Sequence, residues 1–340
     1  MHGMKKQILS VGKFALFLGL GLFLVWWSLR QIPDDKWGEF RNSLRNANYW
    51  LLIPVFIILI ASHLLRALRW KILMEPMGYR PTTLNTFFAV MVGYLANLAF
   101  PRLGEVLKCT ILARYEKVPA EKLVGTIVAE RAVDVVSLAI VFLLTLISQY
   151  DILAVYGQEL IGQLLDKGGS IPMSVLLLTA GILLILVLVI RVWFRQFAHL
   201  KAVIMIKKII AGIWEGLMSI RHLKRKGIFI LYSVGIWFLY TAGTWVGLLA
   251  TSGTSHLGWG EGLSVLAFGS IGMIVTPGGI GAYAFFIAKV LEEYKVPFEI
   301  GFANGNLQWF AQFMIVLIAG GLSLLLLPVY NKKNKHHESH

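Results

Sequence analysis

Glu130-Arg131-Ala132-Val133-Asp134 places three ionisable groups in the middle of a long apolar run. Glu130 and Asp134 are four residues apart and share one face of a helix, while Arg131 and Asp134 are three apart and can pair. With that helix starting near Glu121, a rise of about 1.5 Å per residue sets Glu130 roughly 14 Å and Asp134 roughly 20 Å along it. At the centre of a bilayer each such charge costs about 2.5–3.5 kcal/mol, so the group must face protein, water or a ligand and not lipid. Two readings stay open. The group is a substrate or proton site, or it is a structural salt bridge that leaves Glu130 to find Arg66 or Arg102.

Three further constellations have chemical potential. In Pro101-Arg102-Leu103-Gly104-Glu105 a charged pair sits at a helix break, where Arg102 can offer a planar fork of donors to a phosphate. Its structural alternative is that Arg102 and Glu105 pair with other charges and lock the turn. His63, Arg66 and Arg69 are spaced three apart at the end of another apolar run. Arg69 reads as a side chain that snorkels to head groups, and Arg66, one turn deeper, as one that draws an anionic head group inward. Thr276-Pro277-Gly278-Gly279-Ile280-Gly281 offers backbone amides at a helix start, where an anion can bind without a side-chain charge, although close helix packing would also explain the glycines.

The elements that hold these residues are apolar helices. Hydrophobic residues make up 57% of the 340 and charged residues 15%, a balance that excludes an ordinary soluble chain. Full spans read near 9–29, 49–66, 122–149, 172–192, 227–250 and 302–328. The shorter stretches 84–100 and 263–276 end at Pro101 and Pro277, and each is followed by a short apolar helix, 103–114 or 280–292. The fold expected is an all-α polytopic membrane protein with six full spans and two oppositely oriented re-entrant helical hairpins. Residues 1–330 form a single transmembrane domain and 331–340 a tail.

Charge orients this arrangement. The connection 193–226 and the segment 66–82 are strongly basic, 150–171 is acidic, and Lys332, Lys333 and Lys335 lie in the tail. With both termini cytoplasmic, every basic connection lies inside and faces anionic lipid, and 195–222 forms an amphipathic helix on the inner surface. An internal repeat relates about 49–149 to about 227–328. Tyr115-Glu116-Lys117-Val118-Pro119 and Glu293-Tyr294-Lys295-Val296-Pro297 stand 178 residues apart, and prolines 101 and 277 stand 176 apart. Three spans intervene, so the second unit is inverted, as in transporters whose broken helices meet at a midplane site. The same offset matches Glu130 with Gln308 and Asp134 with Gln312.

Several function classes are excluded or disfavoured. The net charge of +14 lies in loops beside spans, which fits lipid surfaces and not nucleic acid. Cys109 is the one cysteine, so no cysteine-built metal cluster or intrachain disulfide is expected, and no cofactor. No P-loop, H-E-x-x-H or G-x-S-x-G signature occurs.

The ordered set Leu68-Arg69-Trp70-Lys71, Pro101-Arg102-Leu103-Gly104-Glu105, Glu130-Arg131-Ala132-Val133-Asp134 and Pro277-Gly278-Gly279-Ile280-Gly281 resembles the lysylphosphatidylglycerol synthase transmembrane family. That is the flippase-like membrane region of the multiple peptide resistance factor and its stand-alone relatives. The resemblance implies translocation of a phospholipid or related lipid across a bacterial inner membrane, without the aminoacyl transfer that a separate soluble domain performs. Relatives often continue the fourth motif into an acidic residue, where this chain has Ala282-Tyr283-Ala284-Phe285. The expected site comprises Arg66, Arg102, Glu105, Glu130, Arg131, Asp134, Pro277, Gly278, Gly279, Gln308 and Gln312, with a membrane lipid as ligand. The rival readings are a membrane-embedded transferase and an assembly partner of a separate synthase, and a homo-oligomer is compatible with all of them.

Overall fold

The computed structural model describes residues 18–100, 103–149, 214, 218 and 220–337, and among these every regular element is a helix. In chain order the α-helices are α1 (Leu18–Arg30), α2 (Trp37–Arg45), α3 (Leu52–Met74), α4 (Thr83–Ala99), α5 (Leu103–Glu116), α6 (Ala120–Ser148), α7 (Lys226–Leu248), α8 (Trp259–Val275), α9 (Ala282–Glu293) and α10 (Phe298–His337). The span expected at 172–192, the connection 150–171, Pro101 and Arg102 lie outside the described residues. So does 195–222, apart from Trp214, Met218 and 220–222.

Helix ends follow local chemistry. Phe100 and Thr276 are both extended, with φ/ψ of −141°/119° and −124°/151°, as the residue before a proline must be, and α4 and α8 stop there. Thr82 caps α4 by accepting a hydrogen bond from the Asn85 amide. Lys117 and Lys295 are the non-glycine residues with positive φ, 55° and 60°, among those described. Each forms a sharp reversal, is followed by a buried valine and a proline, and leads into a long helix, α6 or α10.

α3 lies along α7, α4 along α5, α8 along α9 and α9 along α10. One apolar core surrounds Trp70, Leu112, Leu123 and Phe229, and another surrounds Tyr283, Ile287 and Leu291. The outward faces stay apolar, with Leu143, Ile147, Leu231, Val234 and Leu325 exposed. Such continuous apolar exposure suits a lipid environment. Tyr49–Met77, Lys226–Leu248 and Phe298–Lys332 are long and apolar enough to cross a membrane. The molecule is therefore a helical membrane protein.

One expected boundary is corrected. The second span does not end at Arg66, because α3 continues to Met74. Arg66 and Arg69 are buried in it against carboxylates of α6.

The α4–α5 unit depends on two glycines. A Cβ at Gly104 would lie 2.1 Å from the Gly93 carbonyl oxygen, while the Gly104 amide donates to Asn97 Oδ1 at 2.8 Å. Gly104→Ala should cost about 1–3 kcal/mol by overpacking and lower the thermal midpoint in detergent. Gly125→Ala, on α6 with open space at its Cβ, should leave that midpoint unchanged or raise it.

Candidate functional site

The site is built on three helices. On α3, His63, Arg66 and Trp70 recur at helical spacing, with Arg69 beside them. On α6, Glu130 and Asp134 point the same way. On α5, Lys108 reaches Glu130.

The contacts form one ionic cluster. Arg66 Nη1 donates to Asp134 Oδ2 at 2.6 Å and to Glu130 Oε1 at 3.2 Å. Arg69 Nη2 donates to Asp134 Oδ1 at 2.7 Å, and Lys108 Nζ donates to Glu130 Oε2 at 2.7 Å. The Tyr240 hydroxyl accepts from Arg66 Nη2 at 3.1 Å, bringing α7 into the group. Trp70 closes it from below, with its ring 4.6 Å from Lys108 Nζ and its indole N–H donating to Thr126.

Arg131 is held differently. Its guanidinium is 3.6 Å from Glu130 and 3.8 Å from Asp134, and its side chain is 47% exposed. Four cations, Arg66, Arg69, Lys108 and Arg131, thus meet two carboxylates, and the surplus positive charge is on the least constrained of them.

A cavity of about 520 Å³ opens beside this cluster. Arg66, Arg131 and Asp134 line it together with His63, Tyr94 and Tyr240. Gln308, Gln312, Tyr283 and Gly278 line it from α9, α10 and the turn after α8, and most of the remaining wall is apolar. Glu130 stands behind this lining, fully buried. Glu105 and Lys108 border a separate small cavity of about 30 Å³ with Tyr94, Asn97, Gly104 and Arg131. Glu105 Oε2 is buried there without a hydrogen-bond partner among the described residues.

Pro277, Gly278 and Gly279 form a tight turn. The amides of Gly279 and Ile280 donate to the carbonyls of Thr276 and Pro277, and the Gly278 carbonyl accepts from the Trp309 indole at 2.7 Å. No group of three or more His, Cys, Asp or Glu side chains arranged to hold a metal occurs among the described residues.

The cluster corrects two readings of the sequence. Arg69 does not snorkel to head groups; it is fully buried and bound to Asp134. Asp134 takes Arg66 and Arg69 as its close partners in preference to Arg131 on its own helix, because those guanidinium groups approach from α3 at hydrogen-bond distance. Lys108 was missed. Its signal was an amine within the short arm after Pro101, a position that needs a counter-charge at membrane depth.

A family model described as the lysylphosphatidylglycerol synthase TM region matches residues 11–320. The chain belongs to that family. It is also similar to the UPF0104 membrane protein MJ1595 of Methanocaldococcus jannaschii, 30% identical over 94 residues, which cover 27% of this chain and 28% of that relative. No solved structure matches. The cavity and its ionic cluster lie on helices within the family region.

Removing one member of a buried ion pair strands its partner, whereas removing both does not. Glu130→Gln should therefore cost about 3–5 kcal/mol, seen as a lower thermal midpoint in detergent. Lys108→Met combined with Glu130→Gln should be less destabilised than Glu130→Gln alone. A double variant whose losses simply add would mean that the 2.7 Å contact carries no coupling.

Proposed function

We propose that the protein is a flippase-like transporter that moves a phospholipid or related lipid between leaflets of a bacterial-type inner membrane. The observation that carries this reading is a single cavity with a largely apolar wall and a net-cationic end. An amphipathic lipid matches both parts, with its phosphate at the cations and its chains along the apolar wall.

In this reading Arg131 takes the phosphate, because its guanidinium is half-exposed and loosely paired. Arg66 supports it from behind, and Glu130 and Asp134 hold Arg66, Arg69 and Lys108 in place. Glu105 borders the same group from α5, and Arg102 is assigned to phosphate recognition from its sequence position. Gln308 and Gln312 supply neutral polarity on the far side, above the Pro277–Gly279 turn.

The architecture supports alternating access around this site. The paired arms α4, α5, α8 and α9 have 17, 14, 17 and 12 residues. At about 1.5 Å per residue they are roughly 18–26 Å long, less than the hydrocarbon thickness of about 30 Å. Each pair is therefore read as a re-entrant hairpin. The matched φ values at Lys117 and Lys295, the matched extended residues Phe100 and Thr276, and the pairing of Glu130 and Asp134 with Gln308 and Gln312 favour an inverted repeat. Its basic connections would face anionic lipid in the cytoplasm, with no role for nucleic acid.

Reconstitution in liposomes tests the reading. Wild-type protein should speed exchange of an acyl-labelled phospholipid between leaflets, measured by quenching of the outer leaflet. Arg131→Ala should lose about ten-fold or more of that rate, as expected for a charge-assisted hydrogen bond, while its thermal midpoint stays near wild type. Wild-type vesicles that exchange lipid no faster than empty ones, or an Arg131→Ala protein as fast as wild type, would refute the assignment.

A further inference from the structure

The wall opposite the ionic cluster carries a chain of neutral hydrogen bonds whose direction is set at one end. Asn304 Nδ2 lies 3.0 Å from the Gly247 backbone carbonyl and 2.6 Å from Thr251 Oγ1. A carbonyl can only accept, so the Asn304 amide must present its NH2 there and turn Oδ1 away. Gln308 Nε2 then donates to Asn304 Oδ1 at 2.7 Å, which turns Gln308 Oε1 toward the Tyr283 hydroxyl, 3.5 Å away. The Tyr283 oxygen accepts from Gln312 Nε2 at 2.8 Å.

The chain ends at Gln312. Its Oε1 has no partner among the described residues, and Gln312 lines the cavity. Orientation of a side-chain amide is decided by such networks, and here the anchor is a backbone carbonyl that cannot be reversed. The cavity therefore offers cations on one side, at Arg131 and Arg66, and an oriented acceptor on the other.

We infer that Gln312 reads a hydrogen-bond donor on the lipid head group, so that the protein selects phospholipids bearing a hydroxyl or primary ammonium group over those ending in a quaternary ammonium. This rests on the transport reading above and adds the substrate class. A methylated ammonium has no N–H or O–H to offer, and the acceptor facing it would lose water without a replacement. Tyr283 acts as a positioning residue. Without its hydroxyl the Gln312 amide is free to turn over and present its NH2 group.

The test compares exchange of acyl-labelled phosphatidylethanolamine and phosphatidylcholine in vesicles of one composition containing the full chain. Wild type should exchange the ethanolamine lipid about ten-fold faster, the ratio that corresponds to one unsatisfied acceptor. Gln312→Leu and Tyr283→Phe should bring that ratio close to one by slowing the ethanolamine lipid, and Gln312→Glu, which keeps an acceptor, should retain it. The ratio is internal to each preparation, so partial loss of folded protein cancels. Wild type that moves both lipids equally, or a Gln312→Leu protein that keeps the preference, overturns the inference and leaves transport standing. Wild type that moves neither lipid overturns the transport reading itself.

Discussion

An ionised carboxylate buried without a cation costs several kcal/mol, and the first half of this fold is organised around meeting that constraint at Glu130. Its two oxygens are satisfied by Lys108 from α5 and Arg66 from α3, with Arg69 at 3.7 Å. Three helices are thereby located by one side chain. Asp134 repeats the arrangement one turn further along α6 and draws on the same two arginines. Both arginines lie within α3, which runs on to Met74, and Trp70 beyond them is itself fully buried.

Much of this was legible in the sequence, for identifiable reasons. Pro101 and Pro277 force their preceding residues out of the helical region, so the ends of α4 and α8 could be located to within a residue. The spacing of Glu130 and Asp134 put both carboxylates on one face, and Gln308 and Gln312 line the same cavity as Asp134. What could not be read was the choice of partner. Spacing along one helix favours Arg131 with Asp134, yet Asp134 is taken by residues more than sixty positions away. Periodicity within a helix reports which face a residue occupies, and only tertiary packing reports what stands opposite. Arg69 and Lys108 were misjudged or missed for that reason.

The carboxylates of α6 and the glutamines of α10 bury polarity by different means. Glu130 and Asp134 recruit cations from other helices, which makes their neighbourhood rigid and ionic. Gln308 is served mainly by Asn304, one turn earlier on α10, and Gln312 by Tyr283 on α9. The neutral network reaches α7 only through Asn304 at Gly247 and the loop threonines Thr251 and Thr254.

The cavity is the seam between these networks. Among the described residues, none of the ion pairs in the cluster reaches α8, α9 or α10; all lie on α3, α5 and α6. A displacement of one wall against the other would therefore break no salt bridge of the cluster, while α7, which accepts a hydrogen bond from each network at Tyr240 and at Gly247, would have to move with one of them. That matters energetically, since separating a buried ion pair costs several kcal/mol and would oppose any repeated motion. Under the transport reading, a bound lipid would add polar contacts across the seam, which couples the walls more tightly while it is present and relaxes them when it leaves.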